Sequence, residues 1–389
     1  MHTTAESLDA LDQLIGWDAG MTPELARLRA AADAALAPIR AQVADWYESG
    51  QPPVREIARA LGSAGLLSPD AHGNTPALRY GLICAQLEAC DSGVRTFASV
   101  QGSLALGAIT RYGSAEMLAQ WTPGLQDGEL VGSFALTEPA VGSDPASLQT
   151  TAETVPGGYR LSGVKRWVSN GQESDVIVTW ARTPAGITAF AVPSDTAGVT
   201  IKPIPAKASL RASATAEVTL DRVVVPAAAH LAGAKGVGAA LRCLNEARFG
   251  IIFGSVGAAR DGLQSALRYV RERDQFGKPL AQFQLTQAKL ADAAAEVARG
   301  WQLARHLATR KDDGTLTPAE VSLGKLANVR SALAVNRSMR TIIGANGTTL
   351  EYAPIRHAAN LESVLTYEGT QEMHALIVGQ QLTGLAAFS

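Results

Sequence analysis

The sequence reads as an α+β chain in three parts, helical at both ends with a β-rich segment between. Three observations lead there. Apolar residues recur at steps of three and four through the first third, short β-branched runs broken by turn residues fill the middle, and three long amphipathic stretches occupy the remainder. At 389 residues the chain also exceeds the size at which one hydrophobic core usually stops growing, so several domains are expected. The divisions fall at 1–129, 130–235 and 236–389.

The first long helix is announced by Thr22-Pro23-Glu24, which supplies an N-cap, a proline for the first turn and an acid to complement the dipole. Leu25, Leu28, Ala32, Leu36, Ile39, Val43 and Trp46 then trace one face until Gly50 and Pro52-Pro53 stop it. Further helices are expected at about 54–60, 76–90, 94–112 and 114–125, punctuated by Gly65, Gly73, Gly93 and Gly113.

From Leu130 the pattern changes to strands, at about 131–136, 149–155, 159–168, 175–181, 187–192, 199–204 and 216–225. Pro156-Gly157-Gly158 reads as a hairpin turn. Strands at this spacing without intervening helices predict an antiparallel barrel or sandwich. After Gly236-Val237-Gly238 three helices follow, at about 239–273, 282–311 and 317–343, each long enough to build an antiparallel bundle. The third opens on the capping box Thr317-Pro318-Ala319-Glu320. A final apolar helix is expected from Met373 to Leu385.

Composition narrows the function classes. Net charge is −2 without a long run of one sign, which argues against a nucleic-acid partner. The apolar run Phe249–Ala259 is too short to cross a bilayer, so no membrane insertion is expected. Cys84, Cys90 and Cys243 have no metal-like spacing and read as buried small hydrophobes in a reducing compartment; no metal is expected. The acidic start lacks the basic region of a targeting peptide, and the expected location is cytoplasmic.

Four stretches carry candidate chemistry. Thr366-Tyr367-Glu368-Gly369-Thr370-Gln371-Glu372 places a carboxylate where a glycine-bearing loop enters the last helix; Glu368 is either a helix-cap carboxylate or a general base aimed into a pocket. Phe134-Ala135-Leu136-Thr137-Glu138-Pro139-Ala140-Val141-Gly142-Ser143-Asp144 leaves a strand as a loop rich in hydroxyls and amides, able to meet a phosphate or a polar ring edge. Lys165-Arg166-Trp167-Val168-Ser169-Asn170-Gly171 sets an indole beside hydroxyl and amide groups. Arg273-Asp274-Gln275-Phe276-Gly277-Lys278-Pro279-Leu280 crowds charge onto a tight turn, followed by Gln284, and Gly344 ends a helix.

Taken together and in this order, these motifs make the chain resemble the acyl-CoA dehydrogenase family of flavoproteins from about Asp9 to the C-terminus. Asp91–Arg95, Ser209–Thr215, Cys243–Arg248 and Ile355–Glu362 make it most similar to the glutaryl-CoA dehydrogenase branch. The resemblance implies a helical N-terminal domain, a middle antiparallel β-barrel and a C-terminal four-helix bundle, assembled as a homotetramer that is a dimer of dimers. It implies FAD held by Phe134, Leu136, Thr137, Gly142, Ser143, Trp167, Ser169, Gly344 and Thr370, with Arg273, Phe276 and Gln284 reaching the FAD of a neighbouring subunit.

The same resemblance gives Glu368 the role of α-proton base. Some relatives carry that base directly before the arginine that matches Arg248; here Ala247 stands there. An acyl-CoA substrate would meet Arg95, Thr96, Ser143, Asn245, Arg248 and Gly369, with Arg95 pairing a distal carboxylate of the acyl chain. An electron-transfer flavoprotein would be the acceptor. The chain departs from the family pattern at Thr341-Ile342-Ile343-Gly344-Ala345, at the short Gly65–Pro76 loop, and at Val94 and Phe97. Three functions stay open on these grounds: decarboxylating oxidation of glutaryl-CoA to crotonyl-CoA, oxidation of another short, branched or dicarboxylic thioester carried on CoA or a carrier protein, and flavin binding without turnover.

Overall fold

The computed structural model describes residues 4–67 and 76–387, with side chains from residue 10 onward. Most of the Gly65–Pro76 loop lies outside the described residues. The N-terminal part contains α1 (Thr4–Ile15), α2 (Pro23–Ser49), α3 (Val54–Ser63), α4 (Ala77–Cys90), α5 (Ser92–Ser99), α6 (Gly107–Tyr112) and α7 (Ala115–Asp127). Thr22 caps α2 through its hydroxyl, which accepts from Leu25 N at 3.2 Å, and Gly50 ends it at φ 71°. The helix α1 was not among the expected elements.

Between α5 and α6 the helix widens into a π-helical stretch, Val100–Leu106. Such insertions often sit beside functional sites. Here the stretch presents Gln101, which donates to Leu125 O and Leu130 O and accepts from Gly132 N at 2.7 Å. One buried amide therefore ties α7 to the start of the β segment.

The middle part holds β1 (Gly132–Ala135), β2 (Thr151–Val155), β3 (Gly158–Ser169), β4 (Val176–Thr183), β5 (Gly186–Pro193), β6 (Val199–Pro203), β7 (Thr215–Pro226) and the short β8 (His230–Leu231). Their order is β6-β7-β3-β2-β4-β5-β8, with β1 on β4. Most pairings are antiparallel, and Gly157, at φ 81°, makes the expected β2–β3 hairpin turn. Two pairings, β1–β4 and β2–β4, run parallel instead. In the first of these, β1 arrives from α7 and is pinned alongside β4 by Asp175, whose carboxylate accepts from Val131 N at 2.7 Å.

The last part comprises α8 (Val237–Glu272), the two-residue strands β9 (Asp274–Gln275) and β10 (Lys278–Pro279), α9 (Gln284–Asp312), α10 (Pro318–Ile343), α11 (Ala353–Val364) and α12 (Gln371–Thr383). Sequence reading found three long helices and the last one but not α11. Among the described residues no helix is long and apolar enough to cross a membrane. The run Phe249–Ala259 has a different purpose. Its glycines let α8 cross α4 at close range: a Cβ on Gly257 would lie 2.0 Å from Ala85 O, and one on Gly254 would lie 2.0 Å from Glu88 Oε2. The largest core, including Trp17, Phe249, Phe253, Val297, Trp301 and Met339, joins α4 to α8, α9 and α10. Glu88 is thereby buried completely, between two helices, where it needs partners.

Candidate active site

Glu88 finds those partners on α5. Asp91 caps that helix by accepting from Gly93 N at 2.6 Å. One turn on, Arg95 is fully buried and its Nε donates to Glu88 Oε2 at 2.8 Å; Ser92 Oγ donates to Glu88 Oε1 at 2.8 Å. Arg95 Nη2 donates to the hydroxyl of Tyr367, which also lies 3.3 Å from Thr96 Oγ1. The third nitrogen, Arg95 Nη1, is buried without a partner. The bare helix pattern suits a solvated arginine; the structure instead buries it in a pocket.

Tyr367 belongs to the loop between α11 and α12, and the loop corrects one reading of Glu368. Thr370 is the N-cap of α12, its Oγ1 accepting from Met373 N at 3.3 Å, and Glu372 is the acid of the first turn. Glu368 stands before the cap, in the left-handed region at φ 55°, followed by Gly369 at φ 98°. Its Oε2 is buried with no hydrogen-bond partner. Burial raises its carboxyl pKa above the usual range, against the lowering fields of Arg95, Lys325 and Arg248. A carboxylate with one oxygen free of hydrogen bonds and a raised pKa is suited to accept a proton.

The backbone of this loop is gripped from behind. Arg248, on α8, donates from Nε to Glu368 O at 2.7 Å and from Nη1 to Asn245 Oδ1 at 2.9 Å. Lys325, on α10, donates to Tyr367 O and, at 2.8 Å, to Gly369 O. His374 is buried against the Glu368–Gly369 backbone; burial, reinforced by Lys325 and Arg248, pushes it down to about 3, so the ring is neutral. A Cβ on Gly369 would lie 3.0 Å from His374 Nε2, which is why glycine stands there. Ala247 is buried and carries no charge. Beyond Asn245 opens a cavity of about 470 Å³ whose lining includes Arg111, Arg242, Glu246, Phe249 and Lys311.

A second group of expected residues gathers on the β segment. Phe134 is buried on β1 and Leu136 just past its end, while Thr137 is half-buried and Gly142 and Ser143 are exposed in the loop beyond. The loop is anchored from within by Glu138. Its Oε1 accepts from Lys165 Nζ at 2.8 Å, Thr150 N at 2.8 Å and Thr150 Oγ1 at 2.6 Å, and its Oε2 from Gln149 N at 2.6 Å. Arg166 N donates to Thr137 O at 2.8 Å, setting the end of β3 beside this loop. There Trp167, at φ 62°, exposes 55% of its surface instead of joining the core, with half-buried Ser169 next to it. An exposed indole flanked by hydroxyls, next to a loop where a Cβ on Gly142 would meet nothing within 4 Å, fits a planar, phosphate-bearing cofactor of the FAD type.

The remaining expected residues lie elsewhere on the surface. Arg273, Phe276 and Gln284 are exposed around the β9–β10 turn, and Gly344 is exposed at the end of α10. None of the four shares a hydrogen bond with the Glu368 cluster among the described residues. Phe276 is 93% exposed at φ 53°. Trp167, Phe276 and Glu368 are three of the seven described non-glycine residues with positive φ, a conformation that concentrates at working sites. Glu88, Lys325, His374 and the basic cavity residues were missed by sequence reading. Only the Gly254 spacing hinted that α4 carried something needing room.

Comparison with known proteins agrees with this geometry. The chain matches the N-terminal, middle and C-terminal domains of acyl-CoA dehydrogenases over residues 22–129, 133–223 and 234–383. It is 31% identical to the mitochondrial short-chain specific acyl-CoA dehydrogenase of Mus musculus over 336 residues, covering 83% of this chain and 81% of that one. A crystal structure of glutaryl-CoA dehydrogenase from Mycobacterium smegmatis superposes with TM-score 0.94 at 51% identity, covering 97% of this chain and 99% of that one. Another glutaryl-CoA dehydrogenase from the same organism, in complex with FADH2, gives 0.92 at 47% identity, covering 97% of each chain. With its three parts matched in order and nearly its whole length covered, the chain belongs to the acyl-CoA dehydrogenase family.

Proposed function

We propose that this chain binds FAD and oxidises glutaryl-CoA, which then loses CO2 to give crotonyl-CoA. The observation that carries this reading is the buried guanidinium of Arg95, with Nη1 unpartnered, in the same pocket as Glu368. A planar guanidinium takes up a carboxylate well, because its fork can donate two parallel hydrogen bonds. An acyl chain entering past Glu368 would bring its far carboxylate to Arg95. Glu88 and Tyr367 hold the guanidinium in place for it.

FAD, when bound, supplies the acceptor for the hydride that leaves the β-carbon. Trp167, Thr137, Ser169 and Thr370 would hold it, with Phe134, Leu136, Gly142 and Ser143 lining its path. Glu368 removes the α-proton. Once the α,β double bond exists, the γ-carboxylate leaves as CO2, its electron pair delocalising into a dienolate. The protonated Glu368 then returns its proton to carbon, so one side chain serves both steps. The cavity with Arg111, Arg242 and Lys311 suits the phosphates of the CoA handle. In this reading the enzyme works in the cytoplasm as a homotetramer, exposed Phe276 meeting a neighbouring subunit, and passes electrons to an electron-transfer flavoprotein.

The assay is turnover of glutaryl-CoA with a ferricenium acceptor: crotonyl-CoA with CO2 supports the proposal, and glutaconyl-CoA refutes its decarboxylation step. Arg95→Ala should lower kcat/KM for glutaryl-CoA by about 10²-fold or more, the scale of a lost charged partner, while changing butyryl-CoA far less. Equal losses would remove the carboxylate role. A second reading rests on Glu88. It already neutralises Arg95, so a neutral short acyl chain is electrostatically acceptable, and the likeness to short-chain dehydrogenases points the same way. Butyryl-CoA turning over faster than glutaryl-CoA would favour it.

A further inference from the structure

Lys325 is 1% exposed and faces the α11–α12 loop from α10. Its Nζ donates to the carbonyls of Tyr367 and Gly369, and Arg248 donates to the carbonyl between them. Two cations, buried Lys325 and half-buried Arg248, thus hold three successive peptide oxygens. The loop they hold is not one the chain prefers. A non-glycine residue at φ 55° is strained, and it persists only where surrounding groups over-determine it. The carboxylate cannot do so from its own end, because Glu368 Oε2 has no hydrogen-bond partner. Its direction is set by the backbone.

We infer that Lys325 is a positioning residue for the base: it clamps the Tyr367–Gly369 turn so that the Glu368 carboxylate points into the acyl pocket, and its charge tunes that carboxylate. The inference rests on the reading of Glu368 as base. A buried ammonium without a directly bonded carboxylate is costly, and burial pulls Lys325 down to about 7. The charged groups that face it are Glu368 and Glu88, which favour its protonation, and Arg248 and Arg95, which oppose it. The Tyr367 ring, 5.6 Å from Nζ, and neutral His374 complete its surroundings. Lys325 thus joins the charged group around Glu368 through the backbone of the base, with its Nζ on the carbonyls either side of Glu368.

The test measures proton removal apart from oxidation. A CoA thioester with sulfur in place of the β-carbon has exchangeable α-protons but no hydride to give. Its α-exchange in D2O, followed by mass spectrometry across neutral pH, reports on Glu368 alone. Lys325→Met keeps the length and apolar stem but removes donors and charge. We expect it to retain bound flavin and to exchange about 10²-fold more slowly, the scale of a misplaced catalytic group. Its pH midpoint should rise, because a nearby cation that favoured the carboxylate is gone. Glu368→Gln should abolish exchange. Should Glu368→Gln still exchange, the base reading itself falls. Should Glu368→Gln be inert while Lys325→Met exchanges at the wild-type rate with an unmoved midpoint, Lys325 merely fills space and the inference is overturned. If Lys325→Met does not fold, Lys325→Gln carries the same two outcomes.

Discussion

Two carboxylates in this molecule, buried Glu138 and half-buried Glu368 with its Oε2 out of solvent, lie beside cations and have opposite characters. Glu138 accepts four hydrogen bonds, from Lys165, Thr150 and Gln149, leaving neither oxygen unpartnered. Burial alone would raise its pKa, but those bonds outweigh it and the carboxyl is lowered. Glu368 has Arg95, Lys325 and Arg248 nearby, yet their donors go to Glu88, Tyr367, Asn245 and backbone carbonyls, leaving Oε2 with none. Its pKa is raised. Proximity to positive charge therefore does not decide a buried carboxylate's character. The hydrogen bonds it receives do: they fix Glu138 as an anchor and leave Glu368 able to take a proton.

The contrast breaks most sharply by removing each carboxylate in turn. Glu368→Gln should lower kcat by about 10²–10⁴-fold, the range a positioned general base contributes, with flavin content kept and no loss of melting temperature. Rates within tenfold of wild type would place the base elsewhere. Glu138→Ala should do the reverse, unfolding the protein more readily by about 3–5 kcal/mol because Lys165 is left charged and buried without its partner. Chemical denaturation measures this. A loss under about 1 kcal/mol would mean that water replaces the carboxylate and that Glu138 is no anchor.

The pH dependence of stability sharpens the same comparison with smaller effects. The lowered pKa of Glu138 contributes stability that is present above its unfolded value of 4.5 and is lost as pH falls through the folded value. The raised pKa of Glu368 has the opposite sign: its contribution is present below 4.5 and is lost as pH rises through the folded value. Glu368→Gln should therefore melt higher than wild type at alkaline pH, with the gap closing toward pH 4.5. Glu138→Gln should melt lower at neutral pH, with its gap closing in acid. Melting curves of both variants with the same sign of change would sink the contrast.

How much of this was legible in the sequence follows from the range of the contacts. The three-part order, the β2–β3 turn and the caps at Thr22 and Thr317 are local, set by residues within a few positions of one another. Glu368 and Arg95 stood out through the stretches around them. Their partners did not. Glu88 meets Arg95 across one turn, but its burial is imposed by Gly254, far along the chain. Lys325 reads as an ordinary helix lysine until α10 packs beneath a loop more than forty residues later. The π-helical widening after Arg95 leaves no mark in the apolar spacing, and α11 is too short and too evenly buried to show a stripe.

The smallest expected effect separates two caps that the sequence renders alike. Thr317 caps α10 at the surface: its Oγ1 accepts from Glu320 N at 3.2 Å, and Glu320 returns the favour to Thr317 N at 2.8 Å. Thr370 caps α12 by the same geometry, accepting from Met373 N at 3.3 Å. Each should cost about 1 kcal/mol of stability when replaced by alanine. They differ in what lies next along the chain. Thr317 lines the cavity beyond Asn245 but shares no hydrogen bond with the Glu368 turn among the described residues, so Thr317→Ala should leave kcat unchanged and at most raise KM. Thr370 follows the two residues held at positive φ, and its cap fixes where α12 begins. Thr370→Ala should let that turn relax and lower kcat several-fold in addition. The pair of variants thus tests whether Glu368 owes its aim to the loop as a clamped unit: equal stability losses with unequal rates at equal flavin content support it, and equal rates exclude it.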